Sequence, residues 1–212
     1  MPFLHFEKIL EIVAFCASIS YMVLTFARSI FLWVFGIMAA ILYGSLFIMS
    51  HLYGNAIQQF CYFITSVYGL ITWVKEIKYL PIHSRKTGVR KISRRMIGES
   101  FFIFVALFFL INLIGGLLPT IFNWEQSKFP VADSILSAGG ILAIWLLANR
   151  YMEQWLLFAV VNFGYTFLYL AKGLDITAVL SAIYIVLSIL GFFKWKKVYH
   201  ENKVIVESLD DA

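Results

Sequence analysis

Three stripes of residues could do chemistry in this chain, and all three lie inside apolar runs. Asn55, Gln59, Tyr62, Ser66, Gly69 and Trp73 recur at spacings of 4, 3, 4, 3 and 4, which puts them on one face of an α-helix. Thr177, Ser181, Tyr184, Ser188, Gly191 and Trp195 repeat that rhythm near the C-terminus. Trp155, Phe158, Asn162 and Tyr165 form the third stripe, whose counterpart earlier in the chain is Trp33, Gly36, Ala40 and Tyr43. In hydrocarbon, carboxamides such as Asn55, Gln59 and Asn162 cost roughly a few kcal/mol each unless paired. They must bond between helices or face a polar solute. With Trp155, Phe158, Tyr62 and Tyr184 as aromatic walls they describe a pocket for a small planar ring bearing hydroxyls or amides, or for a delocalised cation drawn to ring faces. Helix packing competes for these stripes, and it accounts better for Ser66, Ser188, Gly69 and Gly191. Trp73 and Trp195 lie beside lysines at the ends of their runs and read as an interfacial aromatic belt.

Enzymatic chemistry has little to work with. His5, His51, His83 and His200 all fall in expected loops or tails. No nucleophile elbow, zinc-binding His-Glu-x-x-His or paired intramembrane aspartates are present. Cys16 and Cys61 have neither metal-ligand nor redox spacing, and nothing calls for a cofactor. No acidic residue is read as lying deep in a span, so coupling to protons or sodium has no carboxylate candidate, and facilitated diffusion is the simpler expectation.

The elements that must position these residues are transmembrane helices. At 212 residues, 61% apolar and 14% charged, the chain has too little polar surface to cover a soluble globule. Seven stretches, 9–27, 31–49, 56–74, 99–118, 132–148, 154–171 and 175–193, approach the roughly 20 apolar residues a crossing helix needs. Shifting residues 17–75 by 122 positions onto 139–197 matches 13 of 59 positions without a gap. The matches include Arg28/Arg150, Trp33/Trp155, Tyr43/Tyr165, Tyr62/Tyr184, Gly69/Gly191 and Trp73/Trp195. A tandem duplication follows. Three crossings end on the side opposite their start, so a second copy in the same orientation needs one linking helix, supplied by 99–118. The expected organisation is an all-α membrane protein of two parallel three-helix repeats, 1–75 and 131–197. A basic loop plus linker helix occupies 76–130, and 198–212 form a tail.

The loop between the third and fourth spans holds Lys75, Lys78, Arg85, Lys86, Arg90, Lys91, Arg94 and Arg95, eight of the 17 basic residues. If that loop is cytoplasmic, 14 basic residues lie inside and 3 outside, which places the N-terminus outside and the C-terminus inside. This topology signal explains the charge with fewer assumptions than a nucleic-acid or anionic-lipid patch. No nucleic-acid partner is expected. The N-terminal apolar run is needed as the first member of the repeat and is not read as a cleaved leader.

From Asn149 through Trp155, Phe158 and Asn162, then Leu168 to Leu174, Tyr184, Gly191 and Trp195, the sequence resembles the PnuC family of bacterial vitamin transporters. Gly54, Asn55, Gln59, Tyr68, Gly69 and Trp73 extend the resemblance into the first repeat. The resemblance implies a three-plus-one-plus-three fold related in plan to the SWEET transporters, usually a homotrimer in the bacterial inner membrane. It also implies uptake of an unphosphorylated vitamin, best known as nicotinamide riboside, which a cytoplasmic kinase traps. Trp155 and Phe158 would then stack on the ring, Tyr62 and Tyr184 close the pocket, and Gln59, Asn162 and Asn55 hydrogen-bond the solute. Where the riboside branch often has Trp-x-x-Trp, this chain has Trp155-x-x-Phe158, which keeps an aromatic ring but loses an indole donor. A thiamine carrier of the same architecture and a non-transporting membrane subunit are the alternatives.

Overall fold

In the computed structural model the backbone is described for residues 2–27, 29–79 and 89–210. Side chains of 2–7, 76, 77, 79 and 202–210 lie outside the description, as do Arg28, Arg85 and Lys86 from the sequence reading. The described chain is α-helical almost throughout: α1 (Pro2–Ala27), α2 (Leu32–Met49), α3 (Tyr53–Tyr79), α4 (Arg94–Phe122), α5 (Pro130–Ala148), α6 (Gln154–Ala171) and α7 (Asp175–Asp210). All seven expected helices are present. Six are long and apolar enough to cross a membrane; α3 falls short of that measure because Asn55, Gln58 and Gln59 interrupt its apolar run.

Neighbouring helices pack in the order α1, α2, α3, α5, α6 and α7, and α7 closes the ring on α1. Helix α4 stands outside, against α5 and α3, and is almost entirely exposed along its apolar stretch. Apolar side chains cover the outer surface of the bundle, with Phe102, Val160 and Phe109 all well exposed. Such a surface suits lipid rather than water.

Contacts recur at the 122-residue interval. Trp33 meets Trp73 edge-on with ring centroids 5.4 Å apart, and Trp155 meets Trp195 at 5.7 Å. Each first tryptophan lies on a glycine: a Cβ at Gly69 would come within 2.5 Å of the Trp33 ring, and one at Gly191 within 2.6 Å of Trp155. These glycines let helix and indole approach to contact, as the packing interpretation requires. Trp73 and Trp195 are buried against other helices, whereas an aromatic belt facing lipid would leave them exposed. The lysines beside them, Lys75, Lys194, Lys196 and Lys197, are exposed, and Lys194 lies over the Phe26 ring at 5.7 Å. Arg150 lies over Trp73 at 4.7 Å, a cation–π contact from the α5–α6 turn to α3.

Helices α2 and α6 end in the same way, 122 residues apart. Leu52 N–H donates to the Phe47 carbonyl at 2.8 Å and His51 N–H to Ile48 at 3.2 Å; Leu174 donates to Tyr169 at 3.0 Å and Gly173 to Leu170 at 3.1 Å. The closing residues, His51 and Gly173, are both left-handed, as a Schellman turn requires. Lys172 Nζ then donates to the Ser50 carbonyl at 3.2 Å, which fixes the two turns at one end of the bundle.

The glycine–indole contact makes Gly69→Ala an overpacking change, expected to cost about 1–3 kcal/mol. A lowered thermal midpoint in detergent should show this. Adding Trp33→Phe, which removes the clashing ring edge, should restore part of the loss. An unchanged midpoint for the single variant would contradict tight docking.

Candidate functional site

A cavity opens between the triplet α1–α3 and the triplet α5–α7. From the first come Ser18 and Tyr21 of α1, Gly36, Ala39, Ala40, Tyr43 and Phe47 of α2, and Gln58, Gln59, Tyr62 and Ser66 of α3. From the second come Ile144 of α5, Phe158, Val161, Asn162, Tyr165 and Tyr169 of α6, and Thr177 and Tyr184 of α7. Among the described residues, no acidic or basic side chain lines it. The two walls differ as the sequence predicts, with Gly36 and Ala40 small where Phe158 and Asn162 are large.

Four rings form a continuous stack along one side. Tyr43 stacks on Phe47 at 5.4 Å, Phe47 on Tyr169 at 5.6 Å, and Tyr169 on Tyr165 at 5.1 Å. The order is symmetric, since Tyr43 and Tyr165 are repeat equivalents, as are Phe47 and Tyr169. Flat apolar faces therefore meet exactly where the two copies do.

The polar atoms behind this stack belong to one network. Asp133 in α5 accepts from the backbone N–H groups of Gly54 at 2.8 Å and Asn55 at 2.9 Å, and from the Asn55 side-chain amide. Tyr169 Oη donates to Asn55 Oδ1 at 2.7 Å. Tyr165 Oη donates to Gln58 Oε1 at 2.5 Å, and Gln58 Nε2 donates to Tyr62 Oη at 2.6 Å. Gly140 leaves room for this: a Cβ there would stand 1.7 Å from Gln58 Nε2. Ser66 Oγ, by contrast, is buried at the cavity with no hydrogen-bond partner among the described residues, and Tyr43 Oη and Tyr21 Oη make no well-formed hydrogen bond there although Thr177 and Thr25 lie beside them.

Of the residues singled out from sequence, Gln59, Tyr62, Phe158, Asn162 and Tyr184 line the cavity together. Asn162 donates to the Phe158 carbonyl at 2.8 Å, and Tyr184 Oη donates to the Ser18 carbonyl at 2.6 Å. Asn55 and Trp155 do not line it. Asn55 is fully buried in the Asp133 network, and Trp155 is fully buried between Gly191, Trp195 and Phe26. Their types suggested ligand contact, but Asp133 claims the first and the glycine notch the second.

Sequence reasoning passed over Gln58, Tyr169 and Asp133, and placed Tyr165 in a stripe without giving it a contact. Gln58 sits 3 residues after Asn55 and 4 before Tyr62, a helical spacing as good as that of Gln59. Asp133 was also signalled: 122 residues before it stands Glu11, six positions ahead of the stretch over which the repeat is traced. Both carboxylates are buried, Glu11 at 7% and Asp133 at 2% exposure, near the starts of their expected spans, whereas the sequence reading considered only acids deep in a span. A backbone N-terminus answers each charge, which hydropathy alone does not reveal.

Residues 8–197 match the family described as nicotinamide mononucleotide transporter. Relatives named nicotinamide riboside transporter PnuC from Escherichia coli (strain K12) and Shigella flexneri are each 23% identical over 143 residues, covering 60% of this chain and 60% of the relative. The fold is similar to that in the crystal structure of the vitamin B3 transporter PnuC, with a TM-score of 0.69 and 21% identity over 91% of this chain and 82% of that one. With a family match across nearly the whole chain and the same helical fold, this chain belongs to the nicotinamide mononucleotide transporter family.

Proposed function

We propose that this protein carries nicotinamide riboside across the bacterial inner membrane by facilitated diffusion, through the cavity between its two triplets. The observation that carries the proposal is the lining: aromatic faces, carboxamides and orphan hydroxyls, with no charged side chain among them. A pyridinium ring is a delocalised cation, which the faces of Phe158 and the tyrosines attract without a counter-charge. Ribose hydroxyls would satisfy Ser66, Tyr43 and Tyr21, each of which otherwise carries a desolvation cost of about 1–3 kcal/mol.

The same lining argues against a phosphorylated solute. A phosphate would enter a low-dielectric cavity with no lining Lys or Arg to meet it. Riboside is therefore favoured over mononucleotide as the transported form, and phosphorylation in the cytoplasm would make uptake one-way in effect. Gln59, Asn162, Tyr62, Phe158 and Tyr184 are the proposed contacts, with Asn55 and Trp155 supporting them from behind. The proposed arrangement is two repeats, 1–75 and 131–197, in the same orientation, with the N-terminus outside and the tail at 198–212 inside. A homotrimer with one pathway per protomer completes the proposal.

Titration calorimetry on the purified protein should give a binding isotherm for nicotinamide riboside and a constant at least about 100-fold weaker for the mononucleotide. Thiamine serves as the competing cation, and tighter binding of thiamine than of riboside would reassign the substrate. Equal affinity for riboside and mononucleotide would contradict the lining argument.

Ser66→Ala and Tyr43→Phe should each weaken riboside binding by about tenfold. Because Ser66 Oγ has no hydrogen-bond partner among the described residues, the thermal midpoint of Ser66→Ala without ligand should stay the same or rise. Loss of stability with unchanged affinity would show that these hydroxyls serve the fold instead.

A further inference from the structure

We propose that Glu11 and Asp133 form a paired clasp that ties the two triplets together at the end where α3 and α7 begin, and that the clasp must release for the cavity to open there. Rings of helices can part only along their seams. Here the triplets meet along two, α3 against α5 and α1 against α7. Each seam is crossed by one buried carboxylate. Asp133 of α5 accepts from the Gly54 and Asn55 backbone N–H groups at the start of α3. Glu11 of α1 accepts from Thr177 N–H at 3.0 Å and Thr177 Oγ1 at 2.7 Å at the start of α7.

The two ties are equivalent under the repeat: Glu11 and Asp133 are 122 residues apart, as are Asn55 and Thr177. In both, the first helix of one copy caps the third helix of the other copy. A carboxylate at a helix N-terminus satisfies otherwise orphaned N–H groups and meets the positive end of the helix dipole. Gly54 is shaped to receive its tie, because a Cβ there would lie 2.8 Å from the Asp133 carboxylate. The link from Lys172 to Ser50 places both ties at the same end of the bundle.

The opposite end is built differently. There the tryptophan pairs lock helices within a triplet, Trp33 with Trp73 and Trp155 with Trp195, and the triplets meet through ring contacts: Trp155 with Phe26, Arg150 over Trp73 and Lys194 over Phe26. Ring contacts, including those to a cation, tolerate displacement, whereas a buried carboxylate must keep its donors or incur the full desolvation cost. Two such ties therefore define a closed state with a discrete alternative. Thr177 lines the cavity, and Tyr169, held through Asn55, does so too, so the clasp lies one hydrogen bond from the solute space. Glu11 and Asp133 are positioning residues in this scheme and do not touch the solute.

The clasp rests on the transport proposal but not on which vitamin is carried, and its test uses no solute. In a background lacking Cys16 and Cys61, a reporter Ala40→Cys on the cavity wall is labelled in oriented vesicles with a membrane-impermeant maleimide. Labelling from the face where α3 begins should speed up at least about fivefold in the Glu11→Gln, Asp133→Asn double variant, with no gain from the other face. Unchanged labelling, or an equal gain from both faces, overturns the clasp. Should the double variant not fold, Thr177→Val removes one donor and leaves both acids in place. Its faster labelling from that same face alone sustains the proposal, and unchanged labelling overturns it.

Discussion

Hydrocarbon offers no hydrogen bonds, and the whole bundle is arranged around that constraint. Every polar group carried into the membrane must be answered by the protein or by something the protein binds. Asp133, Asn55 and Gln58 are answered within the fold, each by a group on another helix. Those bonds cross between triplets, so the need to satisfy polar atoms also decides how the halves are joined. Ser66, Tyr43 and Tyr21 are among the groups left over, with the four buried indoles, Gln154 and Ser188, and these three are the ones that face the cavity. A solute with hydroxyls and a flat cationic ring completes what the chain leaves open.

The packing frame recurs between the two triplets, and the cavity lining does not. The glycine–indole notches, the edge-on tryptophan pairs, the helix-ending turns and the carboxylate caps all recur at one interval. They hold helices at fixed distances and have little reason to differ between copies. The cavity walls do differ, with Gly36 and Ala40 set opposite the larger Phe158 and Asn162. A symmetric pocket would suit a symmetric solute. An asymmetric one can give the ring to α6 and the sugar to α1, α2 and α3.

Much of this was legible in the residues. Apolar run length gave the seven helices, and the tryptophan and glycine matches gave the repeat. Stripe spacing brought Gln59, Tyr62, Phe158, Asn162 and Tyr184 to one cavity. What escaped was partner choice. Asn55 and Gln58 are both carboxamides on polar faces, and spacing cannot tell that Asp133 binds one while tyrosines bind the other. Trp155 and Phe158 are both aromatic residues in one stripe, and only the Gly191 notch shows that the indole is packing. The buried acids escaped because hydropathy scores a carboxylate without knowing that a helix N-terminus from the other copy waits for it.

The most direct measurement is an experimental density map of the protein bound to nicotinamide riboside. The account predicts one solute between the triplets, its ring against Phe158 and Asn162 and its ribose within hydrogen-bond reach of Ser66 and Tyr43. Density at another place in the bundle, or a solute held by charged side chains, would contradict it.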